Sequence, residues 1–381
     1  MPFDCRYRKR FGHEACLASC QAASVFSVVP VSAAEDVPPP DPRLIDVAVL
    51  DMHHGWPNLG HGAIVHAMQN AVCDVAPQLG RAGLGFRVLS YDVRRGGAIP
   101  AAPGGRHALY VGTGGPGHLD PRRNDGVSEG SQGIAEDPGW EAPLFRLFDA
   151  IHASDDAVLL GVCHTFGVMC RWLGAADAVL RGPEKGGKST GIVDNVLTDE
   201  GLSHPWFARF AEALPDRRRF RVLDNRLYDL VPPATGLPGG LRAVACEAGP
   251  GGAPGEALTM IEAARSADGV MPRIFGVNHH PEIVNRPRLL VMLERTYARG
   301  EVSREWYEER KAALTEPIAD EWGDRLLHLT SSYTFMGPLR FHLYRLARER
   351  ARSLGLRLAV DEAMLHLTYE VQRAARTSPS P

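Results

Sequence analysis

Short apolar runs rich in β-branched residues alternate with stretches of helical periodicity from Leu44 onward, and this alternation constrains the fold more than any other feature. Runs of this length and composition are typical of strands that are buried on both faces of a sheet. The predicted strands are Leu44–Leu50, Phe86–Val93, His107–Val111, Ala157–Val162 and Arg273–Val277. The predicted helices between them are Gly60–Val75, Trp140–Ala153 and Phe166–Ala178. Strands separated by helices predict an α/β domain with a doubly wound, mainly parallel sheet.

Two segments of different texture flank this region. Residues 1–43 show no periodic apolar face and end in the proline-rich stretch Pro38–Pro42, so we predict a disordered leader and linker. Residues 44–298 hold the α/β pattern, and residues 299–381 turn helical and form a predicted C-terminal extension. The helices of this extension are too apolar to be wholly solvated, so they should dock on the core or on a second copy of the chain. They are predicted at Arg304–Leu314, Pro338–Leu354 and Asp361–Ala375.

Charge and cysteine usage exclude several classes of function. A formal net charge of -3 gives no electrostatic basis for binding nucleic acid or a membrane surface. No apolar run reaches the roughly 18 residues that a membrane-spanning helix needs. The seven cysteines are odd in number and form no C-x-x-C pair, which argues against a disulfide scaffold and a structural zinc site. We expect a reducing, cytoplasmic location, because the apolar stretch 15–34 lacks the uninterrupted core of a signal peptide.

The segment Gly161–Gly167 is the most informative for chemistry. A buried strand ends at Gly161, one residue precedes Cys163, and a helix begins at once. This is the layout of a nucleophile elbow, which exposes its side chain at the carboxyl end of the sheet. A helix N-terminus behind the thiol favours the thiolate. From this segment alone, a buried free cysteine after a strand remains an alternative.

Two further glycine- or histidine-containing turns follow predicted strands. His280-Pro281-Glu282 comes after the last strand, so His280 can serve as a general base to the thiol while Glu282 fixes the tautomer of the ring. Gly114–Gly117 comes after the third strand, and its glycines let backbone N–H groups point at a ligand, as an oxyanion hole requires. Taken singly, these segments are also compatible with an ordinary helix-capping turn and a Gly-Pro turn.

Together the three segments resemble the class I glutamine amidotransferase family. The cysteine elbow, the Gly-Gly-Pro loop upstream and the G-V-x-x-H-P-E pattern at Gly276–Glu282 occur in the order of the family, and the resemblance covers roughly residues 44–295. It implies a flavodoxin-like, doubly wound fold. It also implies a catalytic triad in which Cys163 is the nucleophile, His280 the base and Glu282 the partner that orients the base, with no cofactor.

The resemblance further implies an enzyme that releases ammonia from a carboxamide through a thioester. The oxyanion would be held by the backbone N–H groups of Gly115 and His164. The substrate would be a small amide, and the ammonia would pass to a synthase or acceptor-activating partner chain. Three alternatives remain open: an acyltransferase, a free-standing γ-glutamyl hydrolase, and a non-catalytic regulatory binding protein. A homo-oligomer through the C-terminal helices is also expected.

The chain departs from the family at the positions that bind glutamine. The family elbow reads G-x-C-x-G-x-Q. In this chain Thr165 stands at the position of the second glycine, and Gly167 stands at the position of the glutamine. Asn225-Arg226-Leu227 stands where the family often has Tyr-His-Ser. We therefore predict that Gly167 leaves open space beside Cys163. We also predict that Arg226 pairs with a carboxylate or phosphate, so that a larger anionic amide is bound in preference to free glutamine.

Two other patterns suggest different functions. Gly182–Ser189 is a literal match to a phosphate-binding loop, but a β-branched run follows it where that loop needs a helix. Several histidines follow the predicted strands and should gather near Cys163, where they could bind a transition metal. A metal-bound thiolate would be a poor nucleophile, so a histidine-lined cleft without metal is the favoured interpretation.

Overall fold

The computed structural model describes residues 25–57, 59–317 and 321–358. The predicted helix Asp361–Ala375 and the first 24 residues of the predicted leader lie outside these ranges. Among the described residues, no helix has the length and apolar character needed to cross a membrane.

The structure contains the strands β1 (Phe26–Val31), β2 (Leu44–Asp51), β3 (Gly85–Asp92), β4 (His107–Gly112), β5 (Val158–Val162), β6 (Asp177–Leu180), β7 (Ser189–Leu197), β8 (Arg219–Arg226), β9 (Tyr228–Val231), β10 (Arg242–Ala248), β11 (Pro254–Arg265) and β12 (Pro272–Val277). Ten of them form a sheet at the centre of the molecule, in the order β1-β3-β2-β4-β5-β12-β11-β10-β7-β8. The strands from β1 to β12 in this order are parallel, and β11, β10, β7 and β8 continue the sheet in antiparallel fashion. A separate antiparallel pair, β6 and β9, lies beside it.

Helices cover both faces of the sheet, as its doubly buried strands require. In β2, Val47 and Val49 face one apolar cluster, while Ala48 and Leu50 face the other. The α-helices are α1 (Leu59–Cys73), α2 (Ala76–Ala82), α3 (Glu141–Ala153), α4 (His164–Leu173), α5 (Asp199–Ser203), α6 (Phe207–Ala213), α7 (Arg286–Ala298), α8 (Arg304–Thr315), α9 (Glu321–Ser331) and α10 (Gly337–Ser353), with a π-helix at Ser332–Met336. The predicted α/β fold with a mainly parallel sheet is confirmed.

The strand order places the site. The chain moves outward from β2 to β3 on one side and from β4 to β5 on the other, so the connection direction reverses between β2 and β4. In open α/β sheets, ligands bind beyond the carboxyl ends of the strands at such a reversal. The loops after β2, β4, β5 and β12 all meet at this edge.

The structure differs from the predicted leader in its second half. Residues 25–43 were expected to be part of a disordered segment, but Phe26–Val31 forms the edge strand β1, which pairs in parallel with β3. The strand contains Pro30, a residue that lacks an N–H donor and is tolerated at a sheet edge. The α/β unit therefore begins before Leu44, and only residues 1–24 of the predicted leader are undescribed.

The C-terminal extension docks on the core within the described residues. Leu339, Leu343 and Tyr344 of α10 are fully buried in the apolar cluster that also contains α1. The Tyr344 hydroxyl donates to the carbonyl of Ala71 at 2.9 Å. The C-terminal helices were predicted to dock either on the core or on a second copy of the chain, and α10 docks on the core. Assembly of two copies stays a prediction.

The match to a phosphate-binding loop does not have the structure that such a loop needs. Gly182–Ser189 contains a short 3-10 turn at Pro183–Lys185 and runs directly into strand β7. The N–H groups of Lys185, Gly186 and Gly187 donate to carbonyls within the same loop, so they do not point at a ligand as a phosphate-binding loop requires. Strand β7 follows the loop where a phosphate-binding loop needs a helix N-terminus, so the phosphate-binding interpretation is not supported.

Candidate active site

Cys163 lies in a strained turn between β5 and α4. Its φ of 49° and ψ of -102° fall in a region that non-glycine residues rarely adopt. The turn is held by the Cys163 N–H, which donates to Val277 O at 2.8 Å, and by the Cys163 carbonyl, which accepts from the Gly167 N–H at 3.0 Å. A Cβ on Gly161 would lie 2.5 Å from Met169 Sδ, so only glycine allows the helix to pack this closely behind the strand.

His280 and Glu282 reach Cys163 from the end of the neighbouring strand β12. His280 Nδ1 donates to Glu282 Oε1 at 2.8 Å, and the ring hydrogen-bonds to Cys163. Burial lowers the pKa of His280, but the carboxylate of Glu282 and the sulfur of Cys163 together hold it well above its usual value. A protonated imidazole beside a sulfur stabilises negative charge on that sulfur. The geometry is that of a nucleophile with a base and an orienting acid.

Gly115 and His164, whose backbone N–H groups are expected to form an oxyanion hole, line the same cavity as Cys163. The Thr113 hydroxyl donates to Gly114 O at 2.9 Å, and the N–H of a trans peptide points opposite to its carbonyl, so the Gly115 N–H faces away from Thr113. At the start of α4, the Thr165 N–H is bonded to Thr113 O. The N–H groups of Gly115 and His164 donate to no acceptor in the part of the chain that the structure describes.

A buried ion pair holds the Gly115 loop, and sequence reasoning missed it. Arg94 donates from Nη1 to Met52 O at 2.8 Å and to Pro116 O at 2.6 Å, while its other nitrogens bond to Glu136. Both side chains of the pair have 0% exposure. A Cβ on Gly115 would lie 2.2 Å from Met52 O, so glycine is required for this close approach. Neither residue stands in a motif, and no local sequence signal marks the pair.

A cavity of about 260 Å³ opens at Cys163. Of the residues predicted for the site, Cys163, His164, Gly115, His280 and Arg226 line it; Glu282 lies behind His280, and Gly167 is not among the lining residues.

The prediction that Gly167 leaves open space beside Cys163 is wrong. A Cβ there would lie 2.4 Å from Leu119 Cδ1, because the Leu119 side chain fills the space beside the helix. Leu119 itself lines the cavity. The position where the family pattern has a glutamine is therefore covered here by an apolar side chain from a different loop.

Arg226 reaches the cavity but is already surrounded by carboxylates. Its side chain lies 2.8 Å from Glu247, 3.3 Å from Asp229 and 3.4 Å from Asp224, and only 3% of it is exposed. Burial raises the pKa of Asp224, although the charge of Arg226 opposes this. An anion entering the cavity would therefore compete with three acidic groups for Arg226.

The C-terminal extension supplies a wall of the same cavity, which sequence reasoning did not anticipate. Trp306, Glu309 and Arg310 of α8 line it, together with Lys188 from the loop before β7. Lys188 Nζ forms an ion pair with Glu309, and Arg310 Nη1 lies 3.1 Å from the same carboxylate. The Arg310 guanidinium also lies 4.0 Å from the ring centroid of Trp306. Helical periodicity predicts α8, but it does not show which side chains face the cavity.

His53 adds an uncharged polar group. Its Nδ1 lies 3.2 Å from Asp51 Oδ1 and 3.1 Å from Thr113 Oγ1, and it lines the cavity. Burial lowers the pKa of His53 to about 4, although Asp51 opposes this. Burial also lowers the pKa of His164 well below its usual value. Within the described ranges, no group of three or more His, Cys, Asp or Glu side chains is placed to hold a metal ion.

Comparisons with known proteins give structural likenesses only. No family model matches the chain, and no curated protein matches it. A solved structure described as a GMP synthase component from Thermoplasma acidophilum is 13% identical and covers 62% of this chain and 84% of its own, with a TM-score of 0.34. A glutamine amidotransferase from Methylobacillus flagellatus is also 13% identical and covers 84% of this chain and 98% of its own, with a TM-score of 0.40.

Similarities of this size assign no activity, substrate or partner. The features that matter lie in the chain itself: a mainly parallel sheet whose order reverses between β2 and β4, a strained cysteine turn after β5, and a His-Pro-Glu turn after β12. With these features, the chain has a doubly wound α/β fold with a cysteine turn at the carboxyl edge of its sheet.

Proposed function

We propose that the protein is a cysteine-dependent amidase of the glutamine amidotransferase kind. One observation carries the proposal. Cys163 occupies a strained turn at a helix N-terminus and is hydrogen-bonded to His280, whose other ring nitrogen is held by the buried Glu282. A thiol, a base and an orienting acid in this order are the parts of a nucleophilic acyl-transfer site.

The geometry supports a reaction in two halves. The Cys163 thiolate attacks the carboxamide carbon, and the N–H groups of Gly115 and His164 stabilise the resulting oxyanion. Protonated His280 gives its proton to the leaving nitrogen, the C–N bond breaks, and ammonia leaves a thioester on Cys163. His280 then takes a proton from water, the hydroxide attacks the thioester, and the C–S bond breaks. The carboxylic acid leaves, and the Cys163 thiolate and protonated His280 are restored.

Ammonia release and a trapped thioester test this proposal directly. Purified protein is incubated with glutamine and with a panel of γ-glutamyl and other anionic carboxamides, and ammonia and intact mass are followed. We expect an acyl adduct on Cys163 and a loss of turnover of about 10³-fold or more in Cys163→Ala. The control is Cys73→Ala, because burial and the charge of Asp74 raise the pKa of the Cys73 thiol.

The outcomes separate the alternatives. An adduct that forms from thioester donors but not from amides would indicate an acyltransferase. Turnover of γ-glutamyl compounds without transfer of ammonia to any partner would indicate a free-standing hydrolase. Binding of small molecules that Cys163→Ala leaves unchanged, without any adduct in the wild type, would contradict an enzymatic role.

Free glutamine should be a poor substrate of the isolated chain. The family position for a glutamine side chain is covered by Leu119, and Arg226 is already paired with Glu247, Asp229 and Asp224. Buried polar partners matched to both charged ends of free glutamine are needed for tight binding, since unmatched charge is costly in a closed site. A larger amide, or a site completed by a synthase partner, is the context that we propose.

A further inference from the structure

Besides the Arg226 side, the cavity at Cys163 has a second charged wall, formed by α8 of the C-terminal extension and by Lys188 from the loop before β7. We call it the α8 wall, and it consists of Lys188, Trp306, Glu309 and Arg310. Its position is fixed by apolar packing: Tyr307 and Leu314 on the same helix are buried against α7 and α1.

Polar contacts at the end of α8 add to this packing. The Glu316 carboxylate, just beyond the helix, accepts from the N–H of Ile192 in β7 at 2.8 Å. Arg286 at the start of α7 donates to Leu314 O at 2.7 Å. The wall is therefore anchored to the sheet and to the neighbouring helix, and its side chains hold defined positions beside the cavity.

The charges of the α8 wall are unbalanced. Lys188 and Arg310 both pair with the single carboxylate of Glu309. Burial raises the pKa of Glu309, but the hydrogen bond from Lys188 and the charge of Arg310 outweigh this and lower it. Glu309 is therefore ionised, and the wall carries one positive charge in excess. By contrast, Arg226 lies in a cluster in which the carboxylates of Asp224, Asp229 and Glu247 face three cations. These cations are Arg226, Arg181 and Lys185, so that side of the cavity carries no positive charge in excess.

We propose that Lys188 and Arg310 of the α8 wall bind an anionic group, a carboxylate or a phosphate, on the part of the substrate remote from the carboxamide. The inference deepens the proposed function by assigning the anion-binding residues. Two cations that share one carboxylate can accept a second anion with charge-assisted hydrogen bonds. Trp306 keeps the guanidinium of Arg310 in place through its ring face.

Affinity labelling of Cys163 tests this assignment without requiring turnover. The probes are N-(carboxyalkyl)iodoacetamides of increasing chain length, each compared with the uncharged N-alkyl iodoacetamide of the same length. Alkylation of Cys163 in the full chain is followed by mass spectrometry. The variants are Lys188→Met and Arg310→Met, with the charge-conserving Lys188→Arg and Arg310→Lys. Lys311→Met is the control, because Lys311 lies on α8 but outside the lining and interacts with Tyr307.

At the chain length that spans the cavity, we expect the anionic probe to label wild-type Cys163 about tenfold faster than its neutral partner. Lys188→Met and Arg310→Met should each reduce this ratio by about fivefold or more, while Lys188→Arg, Arg310→Lys and Lys311→Met retain it. The neutral probe should react alike in all variants, which shows that the elbow is intact.

The proposal is overturned if the wild type shows no charge preference at any chain length. It is also overturned if the preference survives both methionine variants, or falls only in Arg226→Met. Failure of the proposed function is a separate result. Cys163 labelled with the expected charge preference, in a protein that forms neither ammonia nor a thioester from any carboxamide, would mean an anion-binding site without amidase chemistry.

Discussion

At the scale of single residues, Glu282 has the most demanding position. Its side chain is wholly buried, Oε1 accepts from His280, and Oε2 has no hydrogen-bond partner among the described residues. A buried carboxylate without a cationic partner is unfavourable, so the charge of Glu282 and the proton of His280 support each other.

We predict that Glu282→Gln lowers kcat by about 10²-fold or more, because the amide no longer holds a proton on His280. The pKa of His280 is raised in the folded state, so protonated His280 stabilises the fold. This stabilisation is complete at pH values below the pKa of histidine in the unfolded chain, and it is lost as the pH rises through the raised pKa of the folded state. Wild type and Glu282→Gln should therefore differ most in thermal midpoint in mildly acidic solution and converge at alkaline pH. Melting curves across pH, with the exposed Glu256→Gln as control, check this; a difference that grows with pH would contradict it.

The sequence alone predicts which residues meet at the site only where those residues directly follow predicted strands. Cys163 and His280 each follow a buried strand, and parallel strands bring their carboxyl ends to one edge, so their proximity was predictable. Leu119 and Lys188 could not be assigned in the same way. Their places depend on contacts between segments distant in sequence, and no local pattern encodes which side chain fills a gap left by glycine.

At the scale of elements, the π-helix Ser332–Met336 and the last residue of α9 hydrogen-bond to the turn His279–Glu282 that follows β12. The Ser331 hydroxyl donates to Pro281 O at 2.5 Å. Thr334 donates to Thr330 O, so its hydroxyl accepts from His279 Nε2 at 3.2 Å. An extra residue in a helical turn often marks a functional site, and here it directs a hydroxyl at the residue next to His280.

We predict that the double variant Ser331→Ala, Thr334→Val lowers kcat by about tenfold with little change in KM, since a small displacement of His280 misaligns proton transfer without altering the cavity wall. Each lost hydrogen bond should cost about 1 kcal/mol of stability. Steady-state kinetics across pH distinguish positioning from simple destabilisation, because the inflection due to His280 should shift. Thr315→Ala, an exposed hydroxyl on α8, is the control; equal effects in both proteins would contradict the prediction.

At the scale of the whole molecule, the central sheet contains more strands than the sequence pattern predicts. The alternating runs predicted five parallel strands, and all five are present within one or two residues of the predicted bounds. β1 was missed because Pro30 interrupts its apolar pattern. Residues after β1 are also tied to the core: Arg106 donates to Pro38 O at 2.6 Å and Arg87 to Pro39 O at 3.0 Å, while both arginines pair with the buried Asp46.

We predict that a chain beginning at Leu44 has a thermal midpoint at least about 4 °C below that of the full chain, because it loses β1 and exposes the edge of β3. A chain beginning at Val25 separates the contribution of β1 from that of the residues before it. Differential scanning calorimetry and light scattering measure the two effects. Equal midpoints for the chains that begin at Leu44 and at Val25 would show that β1 adds no stability.

The hydrogen bond from the Cys163 N–H to Val277 O has a consequence for biosynthesis. The ribosome makes Cys163 well before it makes β12, His280 and the α8 wall. An incomplete nascent chain therefore carries the thiol without the strand that braces its turn and without the imidazole of the proposed triad. The proposed amidase activity can therefore arise only after nearly the whole α/β unit has left the exit tunnel. A prematurely terminated product therefore contains the cysteine but not the chemistry.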